Sequence, residues 1–172
     1  MYKCKPEINV TQMRLIVFIG LISSIGAYIA GSALETYGGY LKLLGFVFLC
    51  VFLMLLIRHV LSEYEYSVDG ENFTVTRFTG KRSTVVCCLN LSTAIEVYKK
   101  SDYAALPKQE KAILKYSLNQ NIKADSYVFL CEFNGKRAMV EFEPNEIFVK
   151  IMRDQIENAK KRESDDERQD PI

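Results

Sequence analysis

The hydrophobic pattern begins with two long uncharged runs near the start of the chain. The first run, Leu15 to Leu34, has twenty residues, and the second, Leu43 to Ile57, has fifteen. The second run is lengthened by Lys42 and Arg58, whose aliphatic stems can lie in lipid while their charges reach the membrane surface. Since about 20 apolar residues in a helix cross a bilayer, the pattern predicts a two-helix transmembrane hairpin at residues 15–61.

A tight turn must join the two runs, because little more than the segment ETYGGY separates them. Gly38 and Gly39 are the flexible residues of that segment, and Tyr37 and Tyr40 suit the membrane interface. Such a hairpin puts both of its ends on the same side of the membrane.

A cleaved signal peptide is the competing interpretation of the first run. Lys3, Lys5 and Arg14 precede the run, and small residues at Gly31 to Ala33 are similar to a cleavage site. However, the run is longer than the usual ~7 to 15 residues of a signal peptide, and a second apolar run follows it almost at once. The membrane hairpin therefore remains the preferred prediction.

The distribution of basic residues predicts the orientation of the hairpin. The short N-terminal segment, residues 1–14, carries three basic residues and Arg58 follows the second run, whereas the turn carries Glu35 before Lys42. Loops rich in Lys and Arg stay in the cytoplasm. We therefore expect a multi-pass protein of the inner cell membrane, with both termini and the following domain in the cytoplasm.

Cysteine usage agrees with a reducing compartment. The five cysteines form an odd set without a Cys-x-x-Cys pair, which favours free thiols over a disulfide framework. They are Cys4, Cys50, Cys87, Cys88 and Cys131.

Alternating apolar and polar residues follow the hairpin and predict a series of strands. The strands are expected at about 64–68, 73–78, 84–89, 94–98, 127–133 and 138–142. Asp69-Gly70 and Asn134-Gly135 are dipeptides typical of tight hairpin turns between antiparallel strands. At the end of the series, Glu141 and Glu143 alternate with apolar residues, and we expect both carboxylates to face solvent.

A helix is expected after Pro144, which suits an early helical position. Apolar residues then recur at helical spacing, at Ile147, Phe148, Ile151, Met152 and Ile156. From Lys160 the chain reads KKRESDDERQDPI, which has no apolar residue before its last position and predicts a mobile tail at 160–172.

The octapeptides FTGKRSTV and FNGKRAMV repeat the pattern Phe-x-Gly-Lys-Arg-x-x-Val at two places. A phosphate-binding loop would need a longer Gly-rich stretch, a Lys followed by Ser or Thr, and a helix after it. Here a strand follows each Gly-Lys-Arg, so simple hairpin turns are the preferred interpretation. The alternative is that the cationic tips touch lipid phosphate or an acidic partner through Lys81, Arg82, Lys136 and Arg137.

Between the fourth and fifth predicted strands lies a basic insert, residues 99–123. It holds six lysines against two carboxylates, a balance of +4. A helix that begins at Pro107 would place Lys108, Lys111 and Lys115 on one face. The insert is therefore interpreted as a surface helix packed by its apolar side, with contact to anionic lipid or an acidic partner as the alternative.

Small residues form a stripe on the first transmembrane run. Ser23, Ala27 and Gly31 recur at four-residue spacing, and such residues let helices approach closely in lipid. We expect the stripe to receive the second helix of the same chain, with a homodimer contact as the alternative.

In the order of its elements and in a few short motifs, the chain resembles the bacterial pleckstrin-homology-like (PH-like) domains of small membrane-anchored proteins. The resemblance covers about residues 63–158 and rests on EYSVDGENFTVTRF and on the Phe-x-Pro-x-x-x-Phe pattern of Phe142, Pro144 and Phe148. It implies an α+β fold, in which the transmembrane α-helical hairpin precedes a PH-like antiparallel β-barrel or bent sheet with a C-terminal capping helix. The PH-like domain is assigned to residues 62–159. In phosphoinositide-binding members a Lys is followed at a distance by Arg-x-Arg, whereas Lys81-Arg82 precedes Ser83-Thr84, so inositol-lipid recognition is not carried over.

No combination of residues predicts catalysis. His59 is the sole histidine and adjoins Arg58 at a membrane end, and Cys87 and Cys88 are adjacent strand residues that should point to opposite faces. We therefore expect no enzyme activity, metal, cofactor, small-molecule substrate or nucleic-acid partner.

Two functions remain open. The first is a membrane-anchored cytoplasmic PH-like module that binds or scaffolds a ligand not identified by the sequence. The second is an accessory or regulatory subunit of a larger membrane complex. The expected partners are the lipid bilayer and either another protein or a second copy of the chain.

Overall fold

A computed structural model describes residues 1–34, 37–122 and 125–166 of the chain. These residues form two compact units. The first comprises Met1–Glu7 together with the chain from Glu63 onward, and the second is Ile8–Ser62.

The second unit is a pair of helices, α1 at Val10–Ala33 and α2 at Gly38–His59. Both are long and apolar enough to cross a membrane. The side chain of Asn9 begins α1 by accepting a hydrogen bond from the Gln12 backbone at 3.0 Å, which satisfies one of the free N–H groups of the first turn.

Glycines let the two helices approach closely. A Cβ added to Gly45 would lie 3.2 Å from Ala27, and one added to Gly31 would lie 3.0 Å from the Gly38 carbonyl and from Lys42. Gly38 belongs to the first turn of α2, so the expectation that it and Gly39 form a flexible turn is wrong. Since backbones meet only where no side chain intervenes, Gly38 serves helix packing.

The outer faces of the pair carry large apolar side chains. Phe18, Phe46 and Met54 are each more than 60% exposed, as are Tyr28 and Ile29. Water would solvate such a surface poorly, whereas lipid chains match it. The helices therefore fit a two-span membrane protein.

The first unit contains eight strands in two four-stranded sheets. The strands are β1 Tyr2–Cys4, β2 Ser62–Asp69, β3 Asn72–Thr79, β4 Arg82–Asn90, β5 Ala94–Lys99, β6 Leu114–Ser117, β7 Tyr127–Phe133 and β8 Lys136–Phe142. The first sheet has the order β1-β2-β3-β4, and the second has the order β5-β7-β8-β6. Among the strand pairs of the second sheet, β6 with β8 is parallel.

Two helices complete this unit: α3 at Lys100–Ala105 and α4 at Glu146–Asp166. Apolar residues of α4 pack into the core that the sheets enclose, among them Phe148, Val149, Met152 and Ile156. The centre of that core is aromatic, because the rings of Phe73 and Phe142 lie 5.1 Å apart. A bent pair of sheets with a C-terminal helix is the architecture that the resemblance implies, although the sheets do not close into a barrel.

The hairpin turns have the glycine geometry that the sequence predicts. Gly70, Gly80 and Gly135 have φ angles of +57°, +60° and +68°, and Asn134 has +51°. Residues with side chains rarely adopt this left-handed region, and Asn tolerates it best after Gly.

Two strands were absent from the sequence interpretation. β1 precedes α1 and α2 in the chain but pairs with β2, so that Tyr2 lies opposite Val68. β6 lies inside the basic insert, where a helix was expected.

The C-terminal helix also runs further than expected. It continues to Asp166, so residues 160–166 are helical and not a mobile tail. Lys161 and Glu157 form an ion pair at 2.7 Å with the i, i+4 spacing that supports a helix. Residues 167–172 of the predicted tail lie outside the described residues.

Candidate functional site

An apolar cleft of about 320 Å³ opens into the core between β4 and β6. Its deepest side chains are buried residues of the second sheet, Cys131, Ala138 and Val140. The walls come from the two edge strands: Val86, Cys87, Cys88 and Leu89 on β4, and Leu114, Tyr116 and the following Leu118 on the other side. This size and lining are typical of sites that bind apolar groups.

Exposed apolar side chains surround the mouth of the cleft. Phe133 at the end of β7 is 52% exposed, Tyr116 is 54% exposed and Val86 is 41% exposed. Because such large apolar groups are exposed beside an open cavity, a bound apolar group would bury more surface than the cavity alone provides.

The strand register explains how β4 contributes to this wall. Val75 lies opposite Cys87 and Thr76 lies opposite Val85, so Val86 is the extra residue of a β-bulge. The bulge turns Val86 toward the cleft, while Val85 lies on the outer surface of the first sheet.

Two of the thiols that line the cleft, Cys87 and Cys131, are poorly suited to nucleophilic chemistry. Burial raises the pKa of Cys131 to about 11, and burial likewise raises the pKa of Cys87. A reactive cysteine needs a lowered pKa, since the thiolate is the nucleophile. Among the described residues, no group of three or more His, Cys, Asp or Glu side chains is placed to hold a metal ion.

A buried polar cluster is centred on Glu141 of β8. Its Oε1 accepts hydrogen bonds from Asn119 Nδ2 at 2.8 Å, from Ser126 Oγ at 2.7 Å and from Lys100 Nζ. Burial by itself raises the pKa of Glu141, but the bonds from Lys100, Ser126 and Asn119 outweigh it and the pKa is lowered. The cluster ties α3 and the segment between β6 and β7 to the second sheet.

Glu143 holds the same segment a short distance away. Its two carboxylate oxygens accept from the backbone and the side chain of Asn121, both at 2.7 Å. Tyr66 donates to the Leu118 carbonyl at 2.9 Å and accepts from the Glu143 backbone at 3.2 Å. Burial raises the pKa of Tyr66, so the phenol stays protonated.

The expectation that Glu141 and Glu143 face solvent is therefore wrong. Both residues are 8% exposed. The second sheet is covered on both sides, because α3 and the insert pack over the face that the alternation assigned to water. A two-residue period cannot distinguish such a face from a solvated one.

Lys108, Lys111 and Lys115 do not share a helical face. Lys108 lies in a 3₁₀ turn, Lys111 follows it, and Lys115 belongs to β6. The ammonium of Lys111 donates to the Ala104 carbonyl at 2.7 Å. The helix of the insert, α3, ends before Pro107, since the residue that precedes a proline avoids the helical conformation.

The segment from Leu114 to Leu118 carried a signal that the helical interpretation missed. Leu114, Tyr116 and Leu118 alternate with Lys115 and Ser117, which is the period of a strand with one apolar face. The apolar members of this alternation are the ones that line the cleft.

The basic residues of the repeated motif stand at two hairpin tips. Lys81 lies in the turn before β4, Arg82 begins β4, and Lys136 and Arg137 begin β8. Lys136 lies directly opposite Phe133, so its side chain is on the same face of the sheet as the cleft.

The small residues of α1 differ in what they contact. Gly31 is buried against α2 and Ala27 is half-buried beside Gly45, whereas Ser23 donates to the Gly20 carbonyl of its own helix at 3.1 Å. Ser24 is the serine of this region that is buried.

Comparison with known proteins gives a family and no closer relative. The family described as bacterial PH-like domain (DUF6106) matches residues 3–161. No curated protein and no solved structure matches the chain. The matched range includes β1, both apolar helices, both sheets and most of α4. The chain therefore belongs to the family of bacterial PH-like domains, and its two apolar helices are inserted between the first two strands of that domain.

Proposed function

We propose that the protein is a membrane-anchored binding module, whose PH-like unit recruits a partner to the cytoplasmic face of the cell membrane. The observation that carries this proposal is the insertion of the apolar hairpin between β1 and β2. Two chain connections then link one folded unit to the membrane.

The same insertion supports the proposed orientation. Since β1 and β2 belong to one sheet, a hairpin that crosses the membrane twice must begin and end on the same side. The basic residues before α1 and at the end of α2 favour the cytoplasm for that side.

The cleft and the buried polar cluster of the PH-like unit favour a binding role over catalysis. It presents an apolar cleft with exposed rims, and burial raises the pKa of two of the thiols that line it, Cys87 and Cys131, so that both stay protonated at neutral pH. The buried carboxylate of Glu141 is already occupied by three donors, so it is suited to holding loops in place.

The alternative role is that of an accessory subunit of a membrane complex. It would use the small residues of α1 as a contact with another protein. Ala27 and Gly31 are already in contact with α2, which weakens that alternative. The large apolar residues on the outer faces of the helices are compatible with lipid alone.

A hairpin exchange in the full-length protein separates the two roles. Residues 10–59 are replaced by an unrelated two-span hairpin of equal length, and both proteins are crosslinked in cells and purified in detergent. A binding module keeps its partner after the exchange. Loss of a stoichiometric membrane partner on exchange would instead assign the accessory role, and recovery of no specific partner by either protein would contradict both.

A further inference from the structure

Four edge strands are described in the PH-like unit, and β4 is the longest of them. The edge strands β1 and β6 have only three and four residues. The edge of β5 is covered by α4, from which Arg153 donates to the Val97 carbonyl at 2.7 Å and Lys160 donates to the Ile95 carbonyl at 3.1 Å. β4, in contrast, has nine residues.

Proteins usually protect an edge strand by charge, proline, short length or a β-bulge, and of these devices the stretch of β4 that follows Arg82 has only the bulge at Val86. Between Ser83 and Leu89, β4 has no charged residue and no proline. Every residue of the strand is at least partly exposed. Within the described part of the chain, no backbone hydrogen bond reaches the free edge of this stretch.

The free edge of β4 forms one wall of the apolar cleft, and the short edge strand β6 contributes the opposite wall. A chain that paired with β4 would therefore pass over the cleft. Successive residues of a strand point to opposite faces, so every second side chain of the added chain would enter the cavity between Val86 and Tyr116.

The charges on β4 and on the cleft side of the second sheet indicate the composition of the added chain. Arg82 begins β4, and Lys136 lies on the cleft side of the sheet opposite Phe133. The ammonium of Lys136 has no ion-pair partner among the described residues. β4 itself carries no acidic residue, so the β4 strand of a second copy would leave these cations unpaired.

We propose that β4 and the cleft receive an extended peptide segment of a partner protein, which adds to the first sheet as a fifth strand. The segment carries apolar residues at alternate positions and at least one acidic residue. Main-chain hydrogen bonds to β4 provide affinity, and the cleft and Lys136 provide selectivity. The proposal rests on the proposed binding role and specifies its partner.

A peptide selection on the full-length protein in nanodiscs of zwitterionic lipid tests this proposal. The probe is a display library of random peptides of about ten residues, long enough to pair with all of β4. Enriched peptides are expected to alternate apolar residues and to contain Asp or Glu. Failure to enrich any such peptide would overturn the proposal.

Two matched variants test where the selected peptides bind. Val86→Lys places a charge at the mouth of the cleft and should weaken binding by at least about tenfold, since the ammonium loses water when the peptide binds. Val85→Lys, on the outer face of the same strand, should leave the affinity within about twofold. Peptides indifferent to Val86→Lys would contradict the assigned site, provided that both variants keep the wild-type unfolding temperature.

Two further measurements do not depend on the folding of the Val86 variant. Peptide binding should slow hydrogen exchange of amides in residues 83–89, which an apolar ligand bound without backbone pairing would not do. Lys136→Glu should disfavour acidic peptides and should enrich basic ones.

The remaining outcomes separate this inference from the proposed function. If sedimentation shows a dimer that Val86→Lys dissociates, β4 pairs with a second copy and the inference is wrong. If the hairpin exchange retains a partner while the peptide selection fails, the binding role stands and only the strand-addition site is rejected.

Discussion

Cys4 lies opposite Tyr66 in the antiparallel pairing of β1 with β2, although both apolar helices, α1 and α2, separate the two residues along the chain. Cys4 is 6% exposed, and its sulfur accepts a hydrogen bond from the Asn145 backbone at 3.4 Å. The segment before the hairpin is therefore a structural part of the PH-like unit.

Cys4→Asp is expected to destabilise this unit. A charged carboxylate buried in the core, even with the Asn145 backbone N–H as a donor, should lower the free energy of unfolding by at least about 2 kcal/mol. The matched control is Lys3→Ser, which removes an ion pair with Glu65 at 2.8 Å on the exposed side of the same strand and should cost less than about 1 kcal/mol. Thermal unfolding of the full-length protein in detergent, followed by tyrosine near-ultraviolet circular dichroism, measures both. Equal stability of the two variants would mean that the burial of β1 does not contribute to the stability of the PH-like unit.

Thiol labelling in intact cells tests the orientation. Gly39→Cys, in the first turn of α2, should react with a membrane-impermeant maleimide from outside. Ser101→Cys and the exposed native Cys88 should react only after permeabilisation, because both belong to the PH-like unit. Labelling of Ser101→Cys in intact cells would show that the cytoplasmic assignment is wrong.

Gly31→Leu should weaken the packing of α1 on α2. Its side chain would meet Gly38 and the backbone of Lys42, and overpacking of this kind costs about 1–3 kcal/mol. Gly26→Leu is the control, since no atom lies within 4 Å of an added Cβ there. Titration of the full-length protein with sodium dodecyl sulfate, followed by helical circular dichroism, compares them. If both variants unfold at the same concentration of sodium dodecyl sulfate as the wild type, the contact between Gly31 and α2 does not contribute to stability.

Gly135→Val should destabilise the turn between β7 and β8. Gly135 has a φ of +68°, which a β-branched residue adopts at a cost of about 1–2 kcal/mol or more. Lys136→Ser keeps the turn geometry and should change stability by less than about 0.5 kcal/mol. Thermal unfolding gives both values, and a comparable loss in the serine variant would indicate a structural role for Lys136.

Glu141→Gln should lower stability at neutral pH by about 1–3 kcal/mol, because a charged acceptor with three donors becomes neutral. The folded-state pKa of Glu141 lies below its ordinary value of about 4.5. Its contribution to stability is therefore present above that value and is lost as the pH falls through the folded-state pKa. The variant should show a weaker decline of stability in acid than the wild type does.

Glu132→Gln on β7 is the matched control for this pH effect, since Glu132 is exposed and Glu141 is not. Its unfolding curves should follow those of the wild type from pH 7 to about pH 3. A Glu141→Gln protein with the same acid sensitivity as the wild type would show that other carboxylates control the decline.

Local features of this protein could be predicted from its sequence. The two apolar helices follow from the length of their uncharged runs, and the turns at Gly80 and Gly135 follow from the glycine that a left-handed backbone requires. Helix α4 follows from the spacing of Phe148, Met152 and Ile156. Each of these signals is contained within a short stretch of chain.

The cleft and its polar supports could not be predicted, because they depend on which distant segments meet. β1 has only three residues and becomes a strand by pairing with β2. β6 shows a strand alternation over a few residues, but its parallel partner β8 lies far along the chain. Glu141 alternates like a solvated residue, yet Lys100, Asn119 and Ser126 surround its carboxylate.

The sequence by itself thus determined the two long apolar helices, the turns and the capping helix, since each is encoded by local period, length or backbone conformation. Only the tertiary structure decided that the N-terminus joins the sheet, that Glu141 is buried and that β4 keeps a free edge beside an apolar cleft. The physical reason is that burial and edge exposure are set by strand neighbours far away in the chain, and a two-residue period is the same for a strand with either kind of neighbour.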